Sequence, residues 1–182
     1  MTHNEFEGKL IRLRAIEPED WAAGLDTELD RLVDVTHLPS SRAAARQRAE
    51  QASRYPEDDR AQLVIETLDG TSVGSLSVGH ADRRNRVFGY GIGLGRDHWR
   101  KGYGTDAVLL LLRFYFGELG YQKVDVEVYD FNEPAIRFHE ALGFQHEGRR
   151  RRAYFTRGGY HDLVLLGITA EEFFARHGTG DG

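Results

Sequence analysis

The chain has 182 residues, 40% of them hydrophobic, and its 24 lysines and arginines against 29 aspartates and glutamates leave a net charge of −5. A chain of this size buries a core without covalent staples, and the absence of cysteine excludes Cys-ligated zinc, iron–sulfur clusters, a thiol nucleophile and a disulfide scaffold. The acidic balance argues against broad contact with nucleic-acid phosphate and leans towards cationic partners. No apolar leader opens the chain, and the longest apolar run, 107–112, is far short of the roughly 18 residues a membrane span needs. The expectation is a cytoplasmic protein with neither nucleic acid nor membrane as partner. Only four prolines occur and no low-complexity linker or repeat divides the chain, so a single domain over 1–182 is expected, with its core over about 9–168 and a disordered tail from about 176.

In chain order, the alternation of Leu10, Arg12 and Arg14 with Ile11, Leu13 and Ala15 predicts a strand over 9–17. Glu17-Pro-Glu-Asp then opens a helix to about 32, with Pro18 tolerated in the first turn and acids facing the positive end of the dipole. A second helix covers 41–54. Strands over 62–67 and 72–78 meet through Asp69-Gly70, a hairpin signal. A third strand, 86–94, carries glycine at 89, 91 and 93, with Gly95 just beyond. Glycine weakens a strand, so such a row indicates that something approaches the backbone closely.

A helix over 105–119, ended by Gly120, is apolar nearly all round and reads as a central buried helix. The strand 122–130 follows, with Val124, Val126 and Val128 on one face and Asp125, Glu127 and Tyr129 on the other. Strand, glycine loop, buried helix and strand make a βαβ crossover inside a mainly antiparallel chain. A helix over 132–142 stops at Gly143, and strands 144–155 and 160–168 close the domain as a hairpin. The four arginines at 149–152 fall on the first of these, so alternation should send them to opposite faces. The fold class is α/β, with a mixed, mainly antiparallel sheet flanked by helices on both faces.

Chemistry concentrates at Trp99-Arg-Lys-Gly-Tyr-Gly-Thr. Two glycines let backbone amides point into one concavity, the first free N–H groups of the next helix add to it, and Arg100 and Lys101 bring charge; together they describe a pyrophosphate cradle. The order Lys-Gly excludes a Walker P-loop, and no dinucleotide-type Gly-x-Gly-x-x-Gly with a downstream acid is present. The eight histidines show no metal-ligand spacing, so no metal is expected.

The run Tyr90-Gly-Ile-Gly-Leu, then Trp99-Arg-Lys-Gly-Tyr-Gly-Thr-Asp-Ala, then Asn132-Glu-Pro-Ala-Ile-Arg-Phe-His-Glu-Ala-Leu-Gly-Phe resembles the GCN5-related N-acetyltransferase (GNAT) superfamily. The arginine-rich hairpin and Gly159-Tyr-His-Asp make it similar to the branch with ribosomal-protein N-terminal and spermidine acetyltransferases. The resemblance implies acetyl-CoA as cosubstrate. Its pantetheine arm would pair with Ile92, Gly93 and Leu94, its pyrophosphate would sit on Arg100, Lys101, Gly102, Tyr103, Gly104 and Thr105, and Asn132 would contact the arm or cap its helix. Trp99 stands where the family often has Gln or Arg.

Two further residues follow from the resemblance. His139 occupies the place of a family tyrosine held to protonate the departing thiolate; a cationic imidazole would donate that proton, a neutral one would hydrogen-bond the sulfur, and a structural histidine is the alternative. The family's glutamate before the glycine loop is replaced by Gly89, so Glu127 is the substitute candidate for a base, against an ion-paired sheet residue or water alone. The implied function is acetyl transfer to a primary amine, on a polyamine-like or aminoglycoside-like small molecule or a peptide N-terminus, with a non-catalytic CoA-binding module as the alternative and a homodimer left open.

Overall fold

The computed structural model describes residues 5–22, 41–54, 58–156 and 158–178. Among them are strands β1 (Ile11–Ala15), β2 (Ala61–Thr67), β3 (Ser72–Asp82), β4 (Val87–Leu94), β5 (Lys123–Tyr129), β6 (Gln145–Thr156) and β7 (Gly159–Thr169). The helices are α1 (Arg42–Ala52), α2 (Tyr103–Arg113), α3 (Glu133–Leu142) and α4 (Ala170–His177), with 3-10 turns at Pro18–Asp20 and Arg96–His98 and a π turn, Phe114–Glu118, continuing α2. The sheet order is β1-β2-β3-β4-β5-β7-β6. β4 and β5 run parallel, and β1/β2, β2/β3, β5/β7 and β6/β7 antiparallel, which is the mixed α/β sheet the sequence predicts. The acidic residues Asp26, Glu28 and Asp30 of the expected first helix lie outside the described residues.

By packing, the chain forms two compact units, Met1–Gly79 with Gly91–Phe114, and His80–Tyr90 with Tyr115–Gly182. In the first, alternation along β1 buries Ile11 and Leu13, β2 and β3 bury Val64, Ile65, Val73 and Leu76, and α2 buries Ala107, Val108, Leu110, Leu111 and Leu112. One polar network centres on the buried Glu66. Glu66 accepts from Arg12 Nε and Arg14 Nε at 2.7 Å each, and Arg14 forks onto both oxygens of Asp20 at 2.8 Å. Hydrogen bonds from the two guanidiniums hold the Glu66 carboxyl below its ordinary range despite burial, which alone would raise it.

In the second unit, Val124, Val126 and Val128 are buried and Asp125 and Glu127 exposed, as the alternation predicts. Phe88 stacks on Tyr115 at 4.4 Å and meets Phe116 and Tyr121 edge-on. Gly89 is needed here: a Cβ on it would come within 3.2 Å of the Asp125 carbonyl oxygen across the β4/β5 ladder. Part of the glycine row is thus explained by the sheet itself.

Two expectations are corrected. The arginines of β6 alternate only as far as Arg150: Arg149 and Arg150, in register with Val164 and Leu163, reach Asp162 and Glu127, and the pattern breaks where the register against β7 shifts between Arg150 and Tyr154. Arg152 sits there with φ +50° and its N–H bonds Asp162 Oδ1 at 2.8 Å, a local bond that replaces the lost ladder. The tail does not begin at 176: Arg176 and His177 close α4, bonding the carbonyls of Ala141 and Leu142 at 3.1 and 2.8 Å. The helix starts with a reciprocal Thr169–Glu172 capping box.

Candidate active site

In the first unit the glycine loop is built as an anion cradle. Arg100 has φ +59° and Gly102 φ +86°, and alternation of left-handed with ordinary backbone turns successive N–H groups to one side. Left-handed backbone costs a non-glycine residue about 1–2 kcal/mol, so Arg100 holds strain where the charge is wanted. Gly102 is the N-cap of α2 and offers no side-chain cap. The N–H groups of the first turn precede the first helical bond, Asp106 N to the Gly102 carbonyl at 3.0 Å, so Tyr103, Gly104 and Thr105 present unbonded amides at the positive end of the helix. Arg100, Lys101, Gly102 and Thr105 are exposed, Tyr103 is half-buried and Gly104 buried.

Three residues that sequence reasoning left without a role hold this loop. Asp106 Oδ2 accepts from Leu10 N at 2.7 Å and Ile11 N at 3.2 Å, tying α2 to the start of β1. Leu10 Cδ1 lies 3.0 Å from where a Cβ on Gly102 would stand, so a side chain there would push the Leu10 methyl aside as well as strain the left-handed backbone. Trp99 Nε1 donates to the Leu94 carbonyl at 2.8 Å, joining the end of β4 to the loop. Ile92, Gly93 and Leu94 are half-buried along that strand.

The second unit holds the other candidates. Asn132 caps α3, accepting from Ala135 N at 3.3 Å. Glu127 is half-exposed and forms an ion pair with Arg150. His139 is 5% exposed, with Phe138 and Phe144 at 5.1 Å and Tyr90 at 5.9 Å, ring to ring. Its Nδ1 lies 2.7 Å from the Ala135 carbonyl; a carbonyl only accepts, so Nδ1 carries the hydrogen and the neutral ring leaves Nε2 with a lone pair. Nε2 and the Tyr90 hydroxyl are both buried with no hydrogen-bond partner among the described residues. Burial pushes the His139 imidazole down from its ordinary value, outweighing the bond to Ala135. The second unit therefore groups Tyr90 with His139, and leaves Glu127 paired elsewhere.

The family model for the acetyltransferase (GNAT) domain matches residues 11–145. The chain belongs to the GNAT acetyltransferases. Among relatives, the SPbeta prophage-derived uncharacterized N-acetyltransferase YokL of Bacillus subtilis is 40% identical over 175 residues, 95% of this chain and 97% of that one. Phosphinothricin N-acetyltransferase of Streptomyces viridochromogenes is 28% identical over 108 residues, 58% of each chain. The fold matches the crystal structure of spermidine N-acetyltransferase from Vibrio cholerae in complex with CoA and spermine, with a TM-score of 0.80 at 19% identity over 90% of this chain and 98% of that one.

GNAT enzymes use acetyl-CoA, and the chemistry of this loop is compatible with its diphosphate: Arg100 and Lys101 are exposed cations beside a helix start that carries no side-chain cap, and Gly102 adds no side chain there. In a folded Gly102→Asp protein, acetyl-CoA affinity measured by calorimetry should fall at least about 100-fold, since the new carboxylate both fills and charges the cradle. Unchanged affinity would remove the loop from the cofactor site.

The state of His139 is testable through stability. The unfolded chain takes up its proton near pH 6.5 while the buried ring resists, so its contribution is full above about pH 6.5 and is lost as pH falls towards the lower folded value. The carboxyls held low, such as Glu66 and Asp20, act only below about pH 4.5. Between pH 7 and 5 the melting temperature of the native protein should therefore drop more steeply than that of His139→Phe. Parallel slopes would mean that His139 is not buried neutral.

Proposed function

We propose that the protein transfers the acetyl group of acetyl-CoA to a primary amine carried by a small cationic molecule or a peptide N-terminus, in the cytoplasm. N-acetyl transfer from acetyl-CoA is the activity of its family, and the observation that carries the reading is the left-handed Arg100 and Gly102 before an uncapped α2. Ile92, Gly93 and Leu94 are the strand residues for the pantetheine arm.

Acetyl-CoA supplies an activated acyl group; what the chain's own residues do is bind and position. Arg100, Lys101 and the α2 amides anchor the charged end. Of the three sequence readings of His139, the structural histidine fits best: its Nδ1 hydrogen goes to the Ala135 carbonyl and its buried Nε2 holds only a lone pair, so the neutral ring has no hydrogen to offer a departing thiolate. Glu127 is better read as a sheet ion pair than as a base, its carboxylate being engaged by Arg150. Support for a cationic acceptor comes from the net charge of −5 and from seven acids against one arginine over 17–34, whose field draws amines and is screened over about 8 Å in physiological salt.

The test is a thiol-release assay with acetyl-CoA against spermidine, a simple monoamine and a short uncharged peptide. Turnover is expected with at least one, and KM for the polycation should rise with added salt well beyond that for the monoamine. Acetyl-CoA binding with no thiol release from any amine would instead establish a CoA-binding module.

A further inference from the structure

His161 lies on β7 with its Nδ1 3.2 Å from Asp130 Oδ1. A carboxylate only accepts, so Nδ1 carries the hydrogen, and the neutral form of the ring has its lone pair on Nε2. Asp130 is fixed in turn: its N–H bonds the Asp162 carbonyl at 3.0 Å, and its Oδ2 accepts the Asp162 N–H at 3.2 Å. The Phe131 ring meets the imidazole edge-on at 4.7 Å, which sets the remaining freedom of the ring. The side chains of His161 and Asp130 are each 26% exposed, and among the described residues no protein group takes Nε2.

Of the described histidines in this unit, only His161 combines an orienting carboxylate, partial burial and an open second nitrogen. His139 is sealed, and His146, which meets Glu140 at 2.7 Å, is 54% exposed. The place is also telling. Asp130 follows the carboxyl end of β5, the strand parallel to β4, and in open sheets the carboxyl ends of parallel strands are where ligands bind. Asn132 is two residues further on, its N–H on the Tyr129 carbonyl at 2.9 Å.

We propose that His161 is the general base of the transfer and Asp130 its positioning residue. The inference rests on the acetyltransferase reading and supplies the proton acceptor that Glu127 does not. An amine reaches the protein as an ammonium and gives up one proton to become nucleophilic. Its nitrogen then bonds the acyl carbon as the carbon–sulfur bond breaks. His161 Nε2 removes one of the two protons the nitrogen must lose. Overall, ammonium plus acetyl thioester yield amide, thiol and one proton released to water, with no oxidant or further reactant. Asp130 keeps the imidazole in the tautomer whose lone pair is on Nε2, the base-plus-orienter arrangement that general-base catalysis uses.

The experiment is kcat/KM for the best amine from pH 5.5 to 9.5 in the native protein, His161→Gln and Asp130→Asn, with acetyl-CoA affinity measured by calorimetry. The charged and titratable groups around His161 are Asp130, bonded to its ring, Tyr154, its register partner on β6, and the neighbouring Asp162, which Arg149, Arg151 and Arg152 surround. His161→Gln should lower kcat/KM about 100-fold at pH 7, remove the acid limb of the pH profile, and leave acetyl-CoA affinity within about threefold. Asp130→Asn should lower it about 10-fold and shift that limb. A folded His161→Gln protein with native rate and pH profile overturns the base while the acetyltransferase reading stands. If His161→Gln does not fold, an unchanged profile in Asp130→Asn overturns it equally. A native protein that binds acetyl-CoA but acetylates nothing overturns both.

Discussion

The first unit depends on one constraint, the left-handed turn at Gly102 that starts α2. Everything near it keeps that turn open and still. Leu10 occupies the space a side chain would need, Asp106 ties the helix to β1, and Trp99 joins the loop to the end of β4. β1 is itself held by Arg12 and Arg14 on the buried Glu66. The strain at Arg100 persists because the turn on both sides of it is determined by these contacts. Free amides pointing one way beside two cations are the physical content of the family's glycine loop, and no specific base-like side chain is needed for that part of the function.

The second unit divides its histidines by solvent. His139 and His161 each give the Nδ1 hydrogen to an oxygen acceptor, yet the consequences differ. Around His139 the acceptor is a carbonyl and the walls are aromatic, so the ring is neutral and enclosed. Around His161 the acceptor is a carboxylate and a quarter of the side chain meets water. The first arrangement costs stability in acid. The second suits a group that must exchange a proton with solvent each turnover.

Much of this was legible in the residues. Period-two alternation located β1 and β5, and β2 and β3 carried a hairpin signal at Asp69-Gly70. The apolar surface and flanking glycines located α2, although its last turn widens into a π turn that no pattern announces. The glycine loop and its two cations stood out because they are contiguous. What was not readable depends on contacts between residues far apart in sequence: Asp106 with Leu10 is 96 residues distant and His161 with Asp130 is 31. The loss of arginine alternation beyond Arg150 likewise comes from the register of β6 against its partner strand β7. α4 is different, since Thr169 and Glu172 at capping-box spacing were on view and were passed over.

The cradle is tested most directly by amide hydrogen exchange resolved at Tyr103, Gly104 and Thr105, with and without CoA. These three N–H groups have no helical partner, so free protein should exchange them rapidly, and saturating CoA should slow them at least about tenfold while amides in the middle of α2 change little. Unaltered exchange at all three under saturating CoA, with protection appearing elsewhere in the chain, would contradict the assignment of the diphosphate to the start of α2.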